Sequence, residues 1–374
     1  MWATCLLVAF WVAVDAAGAG CAQHEGGPQL GARSPCGSHG APYDANPLDH
    51  PAGAPDHCFP GGDMLLVVKT GHKTGTMFGL DLIGAIHDYC ADAAERVAAP
   101  PPRFAGRRYA FTANHCLEAI DREASGPTNS SLLLFCPEHC LWFNCVDLER
   151  IRGRLREKKP SKSVKLLHLV RDPVDTVLSG YNYHKSGPRQ ESWLWQPWPM
   201  EQRPPAYRTG RYSNMTYLET LIDLPLVDGL ALEADKMQLD TRHGGAVRQM
   251  ASIYCLNVGH PNYRPIKFES FHGERVTESA CQLAHFLGLP LHHADRFAEE
   301  IWRRMCEFAD KAPSAHITSG TYDREEQLAI LEEYAHYDRL LAVQQALESG
   351  VCDREECELC FHAAVDEHGK ACTT

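Results

Sequence analysis

Two short stretches of this chain carry the side chains and backbone needed to hold a phosphate-like anion. The first is Lys69 to Thr76, "KTGHKTGT", which follows the apolar run Leu65–Val68 and leads into a helix-like pattern. A strand ending in a small-residue turn exposes successive backbone N–H groups, and the helix behind it adds the positive end of its dipole. Gly71 and Gly75 permit the tight turn and a close approach, Thr74 and Thr76 supply hydroxyls, and Lys73 supplies a point charge. The order is not that of a G-x-x-x-x-G-K-[ST] loop. Thr76, not lysine, follows Gly75, and Lys73 comes before that glycine. The second stretch is Lys165 to His184, "KLLHLVRDPVDTVLSGYNYH". It reads as another apolar strand, then Arg171-Asp172-Pro173, then a helix bearing Ser179. Pro173 suits a first helical turn, where its missing N–H costs nothing. Arg171, at the carboxyl end of its strand, falls where open α/β sheets bind ligands, and its planar fork suits a phosphate. Ser179 lies about two turns further on, so the two side chains can converge on one anion.

These residues need a sheet to hold them, and the chain can build one. Its 374 residues suffice for one large α/β core or two smaller ones. Strand and helix patterns alternate from Asp63 to about Leu347, the signature of a mostly parallel sheet flanked by helices in a single main domain. Strands are expected at Met64–Lys69, Arg108–Thr112, Leu132–Phe135, Val164–Val170 and Pro265–Phe268. Helices are expected at Thr76–Asp88, Val146–Glu157, Asp175–Tyr183, Ala246–Tyr254, Ser279–Leu287 and Asp323–Leu347. Phe78, Leu82, Ala85 and Ile86 share one face of the first helix.

The ends have other compositions. Thr4–Val14, "TCLLVAFWVAV", is an apolar run followed by small residues, as in a secretory signal peptide over residues 1–20. A short uncleaved anchor is the alternative, although Asp15 interrupts the run well short of the roughly 20 residues a span needs. Residues 21–62, rich in Gly, Pro, Ala and His, read as a flexible stem. Sixteen cysteines are many for a reducing compartment. With the sequons at Asn129 and Asn214 they point to the secretory pathway, the Golgi lumen or secretion. The tail, 348–374, carries Cys352, Cys357, Cys360 and Cys372. Two disulfides are expected there, with a zinc site on Cys357 and Cys360 plus His362 or His368 as the alternative. A formal net charge of −12 argues against a general nucleic-acid binder, without forbidding a local basic pocket.

Taken together, "KTGHKTGT" and "LVRDPVDTVLSGY" resemble the two phosphosulfate-binding motifs of sulfotransferases that use 3′-phosphoadenosine 5′-phosphosulfate (PAPS). The likeness covers roughly Asp63 to Leu347, and "PIKFESF" is similar to a later strand end in that family. The resemblance implies a P-loop-like α/β fold. It implies that Lys73, Thr74, Gly75 and Thr76 hold the 5′-phosphosulfate while Arg171 and Ser179 hold the 3′-phosphate, with no metal required. The K-T-x-x-K-T spacing is also similar to the loop of Golgi-type carbohydrate sulfotransferases. His72 and Met77 depart from the pattern of the cytosolic members.

Sulfuryl transfer to a hydroxyl needs in-line geometry, charge stabilisation at the leaving phosphate and a base for the acceptor's proton. Lys73 can supply the charge. His115, just past a strand in "RRYAFTANHCLEAI", is the first choice of base, with Glu138 and His139 of "FCPEHC" as alternatives. Between Ser186 and Tyr212, Trp193, Trp195 and Trp198 could form a wall for a sugar, and Arg189, Arg203, Arg208 and Arg211 could meet an acidic glycan. A lid packed by its own aromatics is the other reading. A carbohydrate is therefore the expected acceptor. The competing functions are a P-loop kinase-like phosphotransferase, which lacks G-K-[ST], and an inactive secreted glycan-binding protein of the same fold.

Overall fold

The computed structural model describes residues 64–71, 78–79, 82–86, 89, 110–111, 132–136, 148–159, 163–186, 192–200, 203–239, 245–271, 275–289, 291–311 and 323–352. Its centre is a sheet of strands β1 (Met64–Lys69), β2 (Ala110–Phe111), β3 (Leu132–Cys136), β4 (Ser163–Val170) and β5 (Tyr263–Lys267). The strands are ordered β2-β3-β1-β4-β5, and every neighbouring pair is parallel. A parallel sheet is covered on both faces, which is why β1 and β4 read as nearly unbroken apolar runs. All six residues of β1 are buried.

The pleat sends alternate side chains to two cores. Leu66, Val68, Leu167 and Leu169 pack with Phe78, Leu82, Ile83 and Ile86, and with helices α6 (Arg275–Leu287) and α7 (Leu291–Lys311). Leu65, Val67, Val164 and Leu166 pack on the opposite face against α1 (Leu148–Arg156) and α5 (Ala246–Asn257). A third core is mainly helical, with Trp198 packed into it. It joins α2 (Pro173–Ser186), α3 (Tyr217–Asp223), α4 (Leu226–Leu239), α8 (Arg324–Glu332) and α9 (Tyr337–Ser349). Helices α2 and α4 cross closely within it. A Cβ on Gly180 would lie 2.4 Å from Met237 Cε and 2.6 Å from Glu233 Oε1, and one on Gly229 would lie 2.8 Å from the Tyr181 ring. Glu233 is fully buried there, and accepts hydrogen bonds from Tyr217 Oη at 2.5 Å and His184 Nδ1 at 2.9 Å.

Three expectations are revised. The helix expected over Asp323–Leu347 is two helices, α8 and α9, separated at residues 333–336. There the Tyr334 hydroxyl donates to Asp235 of α4, an anchor that takes the break out of the helical line. Strand β5 begins at Tyr263, ahead of Pro265, because it is the edge strand and can accept a residue without an N–H. Cys352, expected to pair within the tail, bonds instead to Cys255 at the end of α5. Cys281 of α6 is also disulfide-bonded. Cys357, Cys360 and Cys372, together with the stem and the N-terminal run, lie outside the described residues.

The Cys255–Cys352 bond spans a sequence separation of 97, so it removes much chain entropy from the unfolded state. Cys352→Ser should lower the unfolding free energy by about 2–4 kcal/mol in urea titrations. A variant as stable as the wild type would show that this bond does not hold the end of α9 to α5.

Candidate functional site

The strand order reverses at one place. From β1 the chain goes on to β2 and β3 on one side, and from β4 it goes on to β5 on the other. Strands β1 and β4 are neighbours, with Lys69 opposite His168 in the register. Ligands of open α/β sheets bind outside the carboxyl ends of the strands at such a reversal. The segment that follows β1 and the Arg171-Asp172 turn that follows β4 therefore leave the sheet side by side.

At the end of β1, Lys69, Thr70 and Gly71 are buried. Thr70 is fully buried, and its Oγ1 has no hydrogen-bond partner among the described residues. Across the pair, His168 is 1 % exposed, with Nδ1 2.9 Å from the Tyr263 hydroxyl. Burial, reinforced by the charge of Lys69, pushes the His168 imidazole down to about 3, so it is neutral at physiological pH. Burial likewise pushes the Tyr263 hydroxyl up. Lys73, Thr74, Gly75 and Thr76, with His72 and Met77, lie outside the described residues.

The Arg171-Asp172-Pro173 turn is fixed by all three polar groups of Asp172. Its N–H donates to Glu269 Oε1 at 3.1 Å, its Oδ1 accepts the Asp175 N–H at 3.0 Å as the cap of α2, and its carbonyl accepts the Thr176 N–H at 2.9 Å. Arg171 stands over the Phe268 ring at 5.1 Å, with Nε 3.9 Å from Glu269 Oε1. Burial disfavours the Arg171 charge, and the carboxylates of Asp175, Glu269 and Asp172 offset that effect. Burial also raises the Asp172 and Glu269 carboxyls above their ordinary values.

Ser179 is half-buried on α2, on the stripe that also carries Asp175 and Asn182. Helix α8 runs along that stripe. Arg324 pairs with Asp175 at 2.7 Å, and the Asn182 and Gln327 amides exchange hydrogen bonds at 3.2 and 2.9 Å. The Arg171 turn is thus braced by the segment after β5, and the α2 stripe that bears Ser179 is braced by α8. Sequence reasoning missed both braces. Glu269 had a signal, since it lies in "PIKFESF" at the end of a strand; Arg324 had none.

The expected bases, His115, Glu138 and His139, lie outside the described residues, but their strands do not. The strand beside β1 is β3, and β2 is one further out. Glu138 and His139 therefore follow the strand end about 5 Å from that of β1, whereas His115 follows a strand about 10 Å away.

In the segment expected to meet the acceptor, Trp198 and Arg203 belong to the protein interior. Trp198 is 5 % exposed and packs edge-on against Tyr217 at 5.1 Å. The buried Arg203 guanidinium donates to the carbonyls of Trp198, Tyr212 and Met215, so it is spent on the chain itself. Arg208 donates to the Arg203 carbonyl, and Arg211 pairs with Asp223 at 2.8 Å. The lid packed by its own aromatics describes this region, apart from Trp195, which is 60 % exposed. The Trp193 side chain and Arg189 lie outside the described residues, and Asn214 of the second sequon is exposed.

No family model matches the chain, and no curated protein matches it. Among solved structures it is similar to mouse sulfotransferase SULT7A1 complexed with PAP, at 13% identity and a TM-score of 0.39, over 76% of this chain and 89% of that one. A likeness of that degree carries no inference about activity. What stands is an α/β fold with a parallel sheet flanked by helices, whose strand order reverses between β1 and β4.

The neutral, buried His168 gives this edge a pH dependence. Its folded pKa lies below the unfolded value near 6.5, so the unfolded state binds the proton and stability falls as pH drops from about 6.5 toward 3. Between pH 7 and 5 the wild type should lose about 2 kcal/mol more than His168→Gln in urea titrations at each pH. Equal losses in the two proteins would remove His168 as the cause.

Proposed function

We propose that this protein is a sulfotransferase that moves a sulfuryl group from PAPS to a hydroxyl acceptor, with a carbohydrate as the acceptor class. One observation carries the reading. The two stretches that read as anion-binding motifs follow strands β1 and β4, which are neighbouring and parallel at the reversal of strand order. One nucleotide bearing phosphates at both ends of its ribose would bridge them. The buried Thr70 hydroxyl, unpartnered among the described residues at the base of the first motif, fits an oxygen-rich ligand.

In this reading Lys73, Thr74, Gly75 and Thr76 hold the 5′-phosphosulfate, and Arg171 and Ser179 hold the 3′-phosphate. The acceptor oxygen bonds to sulfur as the bridging S–O bond breaks. Lys73 offsets charge on the departing phosphate, and adenosine 3′,5′-bisphosphate leaves. A base takes the acceptor's proton. His115 and the pair Glu138 and His139 are the candidates, and the adjacency of β3 to β1 favours the pair. Trp195 is the described tryptophan left for a sugar face. Residues 63–347 would form the transferase domain behind a signal peptide and stem. The Cys255–Cys352 bond supports the proposed secretory-pathway location, where disulfides persist.

The test is transfer of labelled sulfate from PAPS by the full chain to a panel of glycans, a steroid and a tyrosyl peptide. Lys73→Ala and Arg171→Ala should each lower kcat/KM for PAPS by about 10- to 100-fold, because each removes a charge-assisted contact to a phosphate worth about 1.5–3 kcal/mol. Full activity of either variant at limiting PAPS would unseat that motif. Phosphate transfer from ATP in place of sulfate transfer would unseat the reaction.

A further inference from the structure

The Arg171 turn is held by a residue just beyond another strand, and this deepens the reading above, on which it rests. Glu269 follows β5 in a 3-10 turn, Phe268–Phe271, and β5 pairs with β4 so that Val170 lies opposite Lys267. The carboxylate is thereby brought to the same edge of the sheet as Arg171. Glu269 Oε1 accepts the Asp172 N–H at 3.1 Å and lies 3.9 Å from Arg171 Nε. The Phe268 ring beneath Arg171 comes from the same turn. One segment therefore supplies the floor of the Arg171 guanidinium and the acceptor that fixes the backbone next to it.

A carboxylate beside a phosphate site repels the ligand, so an acid here needs another reason. The Asp172 bond gives one. The Asp172 side chain already caps α2 and its carbonyl is taken by Thr176, so only its N–H remains to fix the turn from outside the helix. We infer that Glu269 is a positioning residue for the donor nucleotide: by accepting the Asp172 N–H it holds the Arg171 turn in the orientation that meets the 3′-phosphate. Its action reaches the ligand through Arg171 alone, and so it bears on the 3′-phosphate and not on the 5′ end.

This separates positioning from a general structural role. Calorimetric titration of the full chain with adenosine 3′,5′-bisphosphate and with adenosine 5′-monophosphate reads the two apart. Glu269→Ala should raise Kd for the bisphosphate about tenfold, the worth of one lost hydrogen bond to a charged acceptor. Kd for the monophosphate should change less than twofold. Glu269→Gln keeps an acceptor oxygen for Asp172 N–H and should recover most of the loss. Equal weakening of both nucleotides in Glu269→Ala, or a Glu269→Gln variant as impaired as Glu269→Ala, would overturn the inference while leaving the donor reading intact. A wild type that binds neither nucleotide would overturn that reading, and the inference with it.

Discussion

The parallel pairing of β1 with β4 is the constraint on which the rest of the structure depends. Both strands are buried on both faces, so neither can shift by one residue without turning an apolar side chain set into the wrong core. With Lys69 held opposite His168, the chain that leaves β1 and the chain that leaves β4 must emerge together. Helices on the two faces then serve to keep that register dry. Two polar residues, Lys69 and His168, lie buried within it. His168 is accommodated by giving up its charge and bonding to Tyr263.

The second level of control is the turn after β4. Pro173 fixes the first helical dihedral of α2, and Asp172 uses its backbone and side chain in three directions at once. An N-cap of this kind contributes about 1 kcal/mol to a helix. Here it also sets where Arg171 points, because no residue intervenes. Carboxylates from three elements surround Arg171, and burial works against their effect. The guanidinium is thus partly compensated before any ligand arrives. A phosphate would replace that compensation with a stronger one.

Much of this was legible in the sequence, and the misses have physical causes. The strands β1 and β4, the turn after β4, and the start of α5 at Ala246 follow from apolar runs, proline and periodicity. The break between α8 and α9 has no glycine or proline to announce it, since Tyr334 makes it by bonding to a distant helix. Partners across the fold are invisible to spacing: Glu269 is 97 residues from Asp172, and Cys352 is equally far from Cys255. Composition also misleads about exposure. Trp198 and Arg203 sit in a polar, proline-rich stretch that resembles a surface, yet they pack on each other, with the guanidinium 5.4 Å from the ring. Strand order could not be read either, and it is this that puts β3, with Glu138 and His139 beyond it, next to β1.

The central claim is that one nucleotide bridges the carboxyl ends of β1 and β4. A crystal structure of the full chain with adenosine 3′,5′-bisphosphate tests it most directly. The account predicts the 3′-phosphate within hydrogen-bonding distance, about 2.7–3.2 Å, of the Arg171 guanidinium and the Ser179 hydroxyl, with the 5′-phosphate in the loop of Lys73 to Thr76. A nucleotide bound away from this edge, or bound here with Arg171 facing no phosphate, would contradict it.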